Sequence, residues 1–183
     1  MEDTDTRYGV EVDIRTRGPE LIIHHNPFVE GESFEEWIKS YRHRLLILNT
    51  KEEGLEKRLL SIMSDNDIND FFFLDQSMPF LVKTAKAGES RCAVRVSEFE
   101  PTAMAMTLAG LVQWVWVDCF TRFPLDGSAA KQLMEAGFKL CLVSPELQGR
   151  NDQVEIEEIQ GILKDRKIAV HAVCTKEPVL WAE

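Results

Sequence analysis

Eight apolar runs of strand length recur along this chain of 183 residues, and most are nearly continuous in apolar side chains. They lie at 9–14, 21–25, 45–49, 71–74, 92–96, 114–117, 139–143 and 169–174. Strands covered on both faces read in this way, because neither face carries a polar alternation. Amphipathic stretches stand between many of them, at 34–43, 52–65, 129–137 and 155–166. In the second of these, Leu55, Leu59, Leu60 and Met63 recur at helical spacing. Strand–helix alternation predicts a parallel sheet, and eight strands predict a small closed (β/α)8 TIM-like barrel. An open doubly wound sheet is the competing α/β architecture. Only a few residues separate the first two runs, too few for a helix, so that step is expected to be a short hairpin around Gly18-Pro19. With no linker, repeat or low-complexity tract, residues 1–183 read as a single domain.

The first run differs from the rest. Val10, Val12 and Ile14 alternate with Glu11, Asp13 and Arg15, the period of a strand buried on one face. Two carboxylates at i, i+2 share a face and suit a hard cation such as Mg or Ca, which prefers oxygen ligands. A hairpin later the chain delivers His24, His25 and a Pro27 turn. A histidine placed there is suited to general acid–base work near neutral pH.

Composition narrows the partners. Thirty-one acidic against 21 basic residues give a net charge of −10. Because no stripe of Lys and Arg forms, nucleic acid is not an expected partner. No apolar run reaches the roughly 18 residues of a membrane span. The opening MEDTDTRYG is acidic and polar, unlike a signal peptide. Cys92, Cys119, Cys141 and Cys174 lack the CxxC spacing and sit in or beside apolar runs. They read as free, buried thiols of a cytoplasmic protein. Oligomeric state is not legible.

Polar residues gather where the strands end. In a parallel barrel the chemistry lies at the C-terminal strand ends. Here those ends carry Glu11 and Asp13, His24 and His25, Asn49 and Lys51, Asp75 and Ser77. Later ends carry Arg95, Ser97 and Glu98, then Asp118, Ser144 and Glu146, and finally Thr175 and Lys176. Burying so many charges without partners would cost several kcal/mol each, on the order of the penalties known for isolated ions. A polar pocket explains them, and helix capping with loop starts is the bland alternative for any one of them. On the pocket reading, Lys51, Arg95 and Arg15 would hold an anionic oxygen, with arginine offering bidentate contact. The ligand is then a small phosphate-bearing molecule. His43 and His171 read as surface and rim or core residues.

These motifs, in this order, resemble the glycerophosphodiester phosphodiesterases of the wider phosphatidylinositol-phospholipase-C-like barrel group, and the chain looks like a divergent bacterial member. Glu11 and Asp13 match that family's E-x-D strand. His25 and Pro27 match its H-D-P, Lys51 its E-x-K lysine, and AVCTKEP (172–178) its closing T-D-x-P strand. The resemblance implies a barrel that cleaves small phosphodiesters. It implies a divalent cation on Glu11 and Asp13 and histidine acid–base cleavage, with His25 and Lys51 at the matching catalytic positions. On the reading of the residues themselves, Asp75, Asp118 or Glu146 would help hold the cation, and Arg15, Lys51 and Arg95 the phosphate. The pattern departs at Asn26, Asn49 and Lys176, where the family has acidic residues, and the H-R-G strand that opens the family pattern is not found. Two functions follow from this degenerate site. One is a metal-dependent phosphodiesterase-like enzyme. The other is a non-catalytic barrel binding a phosphorylated sugar, a glycerol headgroup or a partner protein.

Overall fold

In the computed structural model, which describes residues 4–150 and 152–182, the chain divides into two compact units, Met1–Cys92 and Ala93–Glu183. The first begins with β1 (Val10–Arg17), where Val12 and Ile14 are buried and Glu11, Asp13 and Arg15 are half-buried on the opposite face. Gly18, at φ 58°, supplies the positive φ that opens the two-residue turn into β2 (Glu20–Ile23). These strands pair antiparallel, Ile14 opposite Ile23, so the short hairpin forms. A two-residue β3 (Glu32–Ser33), for which the sequence holds no apolar run, adds antiparallel to β2.

Residues 34–43 give one turn of helix, α1 (Phe34–Trp37), capped by Ser33 and followed by a 3-10 turn at Ile38–Ser40. Phe34, Trp37, Ile38 and Tyr41 are nonetheless all buried, so the helical spacing of the apolar side chains outlasts the helix itself. β4 (Leu46–Thr50) then lies parallel to β1. Gly54 sits at φ 88°, a left-handed turn that delays α2 to Glu56–Asp65. Leu59 and Met63, one helical turn apart, are its buried anchors. β5 (Phe71–Leu74) pairs parallel with β4, and α3 (Met78–Lys86) follows with Pro79 in its first turn. The sheet order is β3-β2-β1-β4-β5.

The second unit is a regular β/α succession. It runs β6 (Ala93–Val96), α4 (Thr102–Met106), β7 (Trp114–Val117), α5 (Gly127–Glu135), β8 (Lys139–Val143), a 3-10 turn at Pro145–Gln148, α6 (Asp152–Asp165), β9 (Ala172–Cys174) and α7 (Pro178–Trp181). Its four strands are all parallel, in order β6-β7-β8-β9. Val94, Val96, Val115, Val117, Leu140 and Leu142 form its buried sheet, and Leu133 of α5 and Ile156 and Ile159 of α6 are buried as well. Asp126 caps α5 by accepting from the Ala129 N–H at 2.7 Å.

Each of the eight apolar runs therefore contributes a strand, and the mixed α/β class with parallel strands stands. The ladders divide into a mixed five-stranded sheet and a parallel four-stranded one, so hydrogen bonding does not draw one closed ring. None of the four cysteines is in a disulfide; Cys92, Cys119 and Cys141 are buried and Cys174 is partly exposed. No helix among the described residues is long and apolar enough to cross a membrane.

Candidate functional site

Parallel pairing brings the polar ends of β1 and β4 together. Asp13 stands opposite Asn49 and Glu11 opposite Ile47, so Glu11, Asp13, Asn49 and Lys51, spaced by two along their strands, share a face. Asn49 is 7 % exposed and donates its amide N–H to Glu11 Oε1 at 2.7 Å, while its Oδ1 is buried without a partner. Lys51 Nζ lies 3.1 Å from Asp13 Oδ1 and 3.3 Å from Asp75 Oδ2. Two carboxylates thus pair with one ammonium, and a third, Glu11, feels its charge. The Glu11 carboxyl is pushed up to about 7, first by burial and then by the neighbouring Asp13, against the lowering effects of Asn49 and Lys51.

Asp75 follows β5 directly and takes φ 60°, a left-handed conformation that Asp tolerates better than most residues. Beside it and Lys51 opens a cleft of about 150 Å3, lined also by Glu52, Glu56 and Gln76. Gln76 donates to the buried Glu56 at 3.0 Å and to Thr84 at 3.2 Å.

Arg15 faces inward from β1 and holds two loops. Its Nε donates to the His25 carbonyl at 3.0 Å and its Nη1 to the Lys51 carbonyl at 3.4 Å. Glu52 accepts from the Thr16 N–H at 3.1 Å and the Thr16 hydroxyl at 2.5 Å, which anchors the segment after β4 to β1. The His24 N–H donates to the Asp13 carbonyl at 3.0 Å. The ring of His24 accepts from the Asn26 N–H, and the exposed ring of His25 has its Nδ1 3.1 Å from Asn26 Oδ1. Among the described residues no ion pair joins His25 to a carboxylate.

In the second unit the polar strand ends serve one another. Arg95 pairs with the nearly buried Asp118 at 3.2 Å, and Gln148 and the Cys119 N–H also donate to that carboxylate. Burial outweighs these partners and raises the Asp118 carboxyl above its ordinary range. Glu98 accepts from the Thr121 N–H, the Thr121 hydroxyl and the Arg122 N–H. Glu146 accepts from the Thr175 hydroxyl at 2.5 Å and the Lys176 N–H at 3.0 Å. Trp181 Nε1 donates to Ser144 at 2.9 Å. These contacts tie loops to strand ends, the plainer role open to such residues. His171 stands just before β9, its Nδ1 accepting from the Leu140 N–H. His43 is half-buried against the Tyr41 ring.

The sequence-based set thus separates. Glu11, Asp13 and Lys51 converge, with Asn49 and Asp75 joining them as direct partners. Arg15 reaches the same segment through backbone carbonyls, and Arg95 is engaged with Asp118. Asp75 appears in the sequence only as one of several acidic strand ends; its link to Lys51 depends on the β4–β5 pairing and the turn after β5. Among the described residues no group of three or more His, Cys, Asp or Glu side chains is disposed to hold a metal ion.

No protein-family model and no curated protein matches this chain. Over 96% of its length, and 87% of the other chain, the fold is similar to that in the crystal structure of glycerophosphodiester phosphodiesterase from Agrobacterium tumefaciens str. C58, with a TM-score of 0.68 and 12% sequence identity. At that identity the likeness is one of fold.

Proposed function

We propose that the protein is a metal-dependent phosphodiesterase-like protein whose site is built on the ends of β1, β4 and β5. The observation that carries this reading is the cluster of Glu11, Asp13 and Asp75 around Lys51, with Asn49 completing it. A cluster kept short of positive charge, with a Glu11 carboxyl near 7, has the electrostatic character of a cation site. The donor set fits a hard ion: the carboxylates of Glu11 and Asp13 with the buried, unpartnered Oδ1 of Asn49, all oxygen. Mg or Ca bound there would act as a Lewis acid toward a phosphoryl oxygen.

On this reading Lys51 receives the anionic phosphate. Arg15 holds the Lys51 and His25 carbonyls, lies 3.9 Å from Glu52, and would offer its remaining N–H groups to the same oxygen. His25 carries the proton as general acid or base, from a loop that the Arg15 bond fixes. Arg95 is the weaker phosphate ligand, because its charge is already matched by Asp118. The single-domain barrel and the cytoplasmic, divergent bacterial identity belong to the same proposal; the fold likeness over 96% of the chain supports the first.

Hydrolysis of glycerophosphocholine and of bis(p-nitrophenyl) phosphate, with Mg or Ca against chelator, tests this reading. Cation-dependent turnover lost in Asp13→Asn supports it. Tight cation binding without turnover would favour the second reading, a barrel that binds a phosphorylated headgroup or a partner without cleaving. The amide of Asn49 in place of a carboxylate, and the outward ring of His25, are the observations that favour it.

A further inference from the structure

The ammonium of Lys51 stands where an external cation's charge would be felt most, on the carboxylate of Asp13. Its side chain is 16% exposed, that of Asp13 20% and that of Asp75 26%, so all three interact in a poorly solvated setting. An ion held by Glu11 and Asp13 would share the Asp13 carboxylate with Lys51, and two cations on one carboxylate repel strongly at such range. Lys51 has a second partner ready, since Asp75 Oδ2 is 3.3 Å from the same Nζ. Asp75 takes φ 60° directly after β5, and its carboxylate meets the same ammonium as that of Asp13. From this geometry we infer that Lys51 is a built-in cation competing with a divalent ion for Asp13, and that Asp75 is the positioning residue that keeps the ammonium when the ion binds.

The inference rests on the cation-site reading above, and it makes cation affinity a property of two residues that are not ligands. It also links the ion to the phosphate. A Lys51 drawn toward Asp75 leaves Asp13 for the ion and remains beside the cleft as a point charge for an anion, so ion binding precedes and prepares anion binding.

Calorimetric titration of the full chain with MgCl2, and separately CaCl2, tests this in the wild type, Lys51→Met, Asp75→Asn and the double variant, with Lys51→Gln as a second replacement should Lys51→Met fail to fold. Lys51→Met is expected to bind about tenfold tighter and Asp75→Asn about fivefold weaker, magnitudes in keeping with one screened charge at close range. If Asp75 acts through Lys51, adding Asp75→Asn to Lys51→Met changes affinity by less than about twofold; a simple field effect of Asp75 would repeat the whole loss. The lysine Nζ signal of the wild type, followed by NMR, should move as the ion is added. Equal affinities, additive effects or an unmoved Nζ signal would overturn the inference and leave the metal-dependent reading standing. Binding by Lys51→Met but not by the wild type would uphold the inference and defeat that reading. No binding by any variant would defeat both.

Discussion

Asn49 donates to Glu11 across 2.7 Å, from a buried position on β4 to a half-buried one on β1. The two strands are parallel neighbours, so the bond is fixed by register as well as by side-chain chemistry. An amide in that place supplies a hydrogen bond but no charge. It therefore offsets only part of the burial and Asp13 repulsion that raise the Glu11 carboxyl.

The stability of the metal-free protein should consequently fall as pH rises through the Glu11 titration. The folded carboxyl titrates at about 7 and the unfolded one at 4.5, so between those values the folded state binds more protons. Stability then declines with increasing pH, by an integrated contribution of about 3 kcal/mol. Glu11→Gln removes this pH dependence. In urea denaturation with chelator, wild type and variant should agree near pH 4.5 and diverge by pH 8 in the variant's favour. Parallel pH curves would mean that Glu11 is not strained by its setting.

Replacing the amide tests the other side of the same bond. Asn49→Asp places a third carboxylate against Glu11 and should cost about 2 kcal/mol in chelator at pH 8, through like-charge repulsion in a buried place. Adding Mg or Ca should recover the loss, with affinity about tenfold above the wild type. Thermal melts with and without each ion report both effects. A loss that neither ion recovers would deny that this face is a cation site.

The E-x-D face of β1 and the strand positions were legible because both depend on local period. Alternation at 10–15 marks the half-buried strand, and continuous apolar runs mark the buried ones. The convergence of Lys51 with Asp13 also follows from two-residue spacing once β1 and β4 are paired. What stayed hidden depends on tertiary placement. Asp75 reaches Lys51 only because the chain turns left-handed after β5, and Gln148 meets Asp118 across 30 residues of sequence. β3 is two polar residues whose pairing with β2 no apolar pattern announces. The polar ends of β6 to β9 looked like those of β1 and β4 in sequence. Structure separates them by partner: Glu98 and Glu146 bind loop donors and Asp118 pairs with Arg95, whereas Asp13 and Asp75 share Lys51 and Glu11 meets the Asn49 amide.

Glu98 should therefore behave as a loop lock. Its contacts with the Thr121 and Arg122 N–H groups hold its carboxyl below the ordinary range. A lowered carboxyl contributes stability above its ordinary value and loses it as pH falls through the folded one. Glu98→Ala should raise the hydrogen-exchange rate of the Thr121 amide about tenfold at neutral pH, the effect of losing one charge-assisted bond. Wild-type exchange rates, corrected for intrinsic chemistry, should rise likewise only in strong acid. An unchanged Thr121 amide in Glu98→Ala would show that the loop is held by other contacts.

Arg95 separates a structural role from a phosphate-binding one. Its partner Asp118 has a side chain 3% exposed, and a carboxylate so enclosed depends on the cation beside it. Arg95→Met would leave Asp118 with the Gln148, Cys119 and Trp116 donors but without the matching charge. The cost should be about 3 kcal/mol, the order found when one member of a buried pair is removed. Asp118 would also hold its proton to higher pH, since burial would act with less opposition, so the loss should be larger at pH 8 than at pH 5. Arg95→Met with Asp118→Leu removes both charges and should recover most of the loss, because the apolar pair leaves no buried ion uncompensated. Phosphate titrations of the single variant complete the test. A stable Arg95→Met whose phosphate affinity falls several-fold would make Arg95 a ligand for the anion, whereas a destabilised variant with phosphate affinity intact would make the Arg95–Asp118 pair a fastening of β6 to the end of β7.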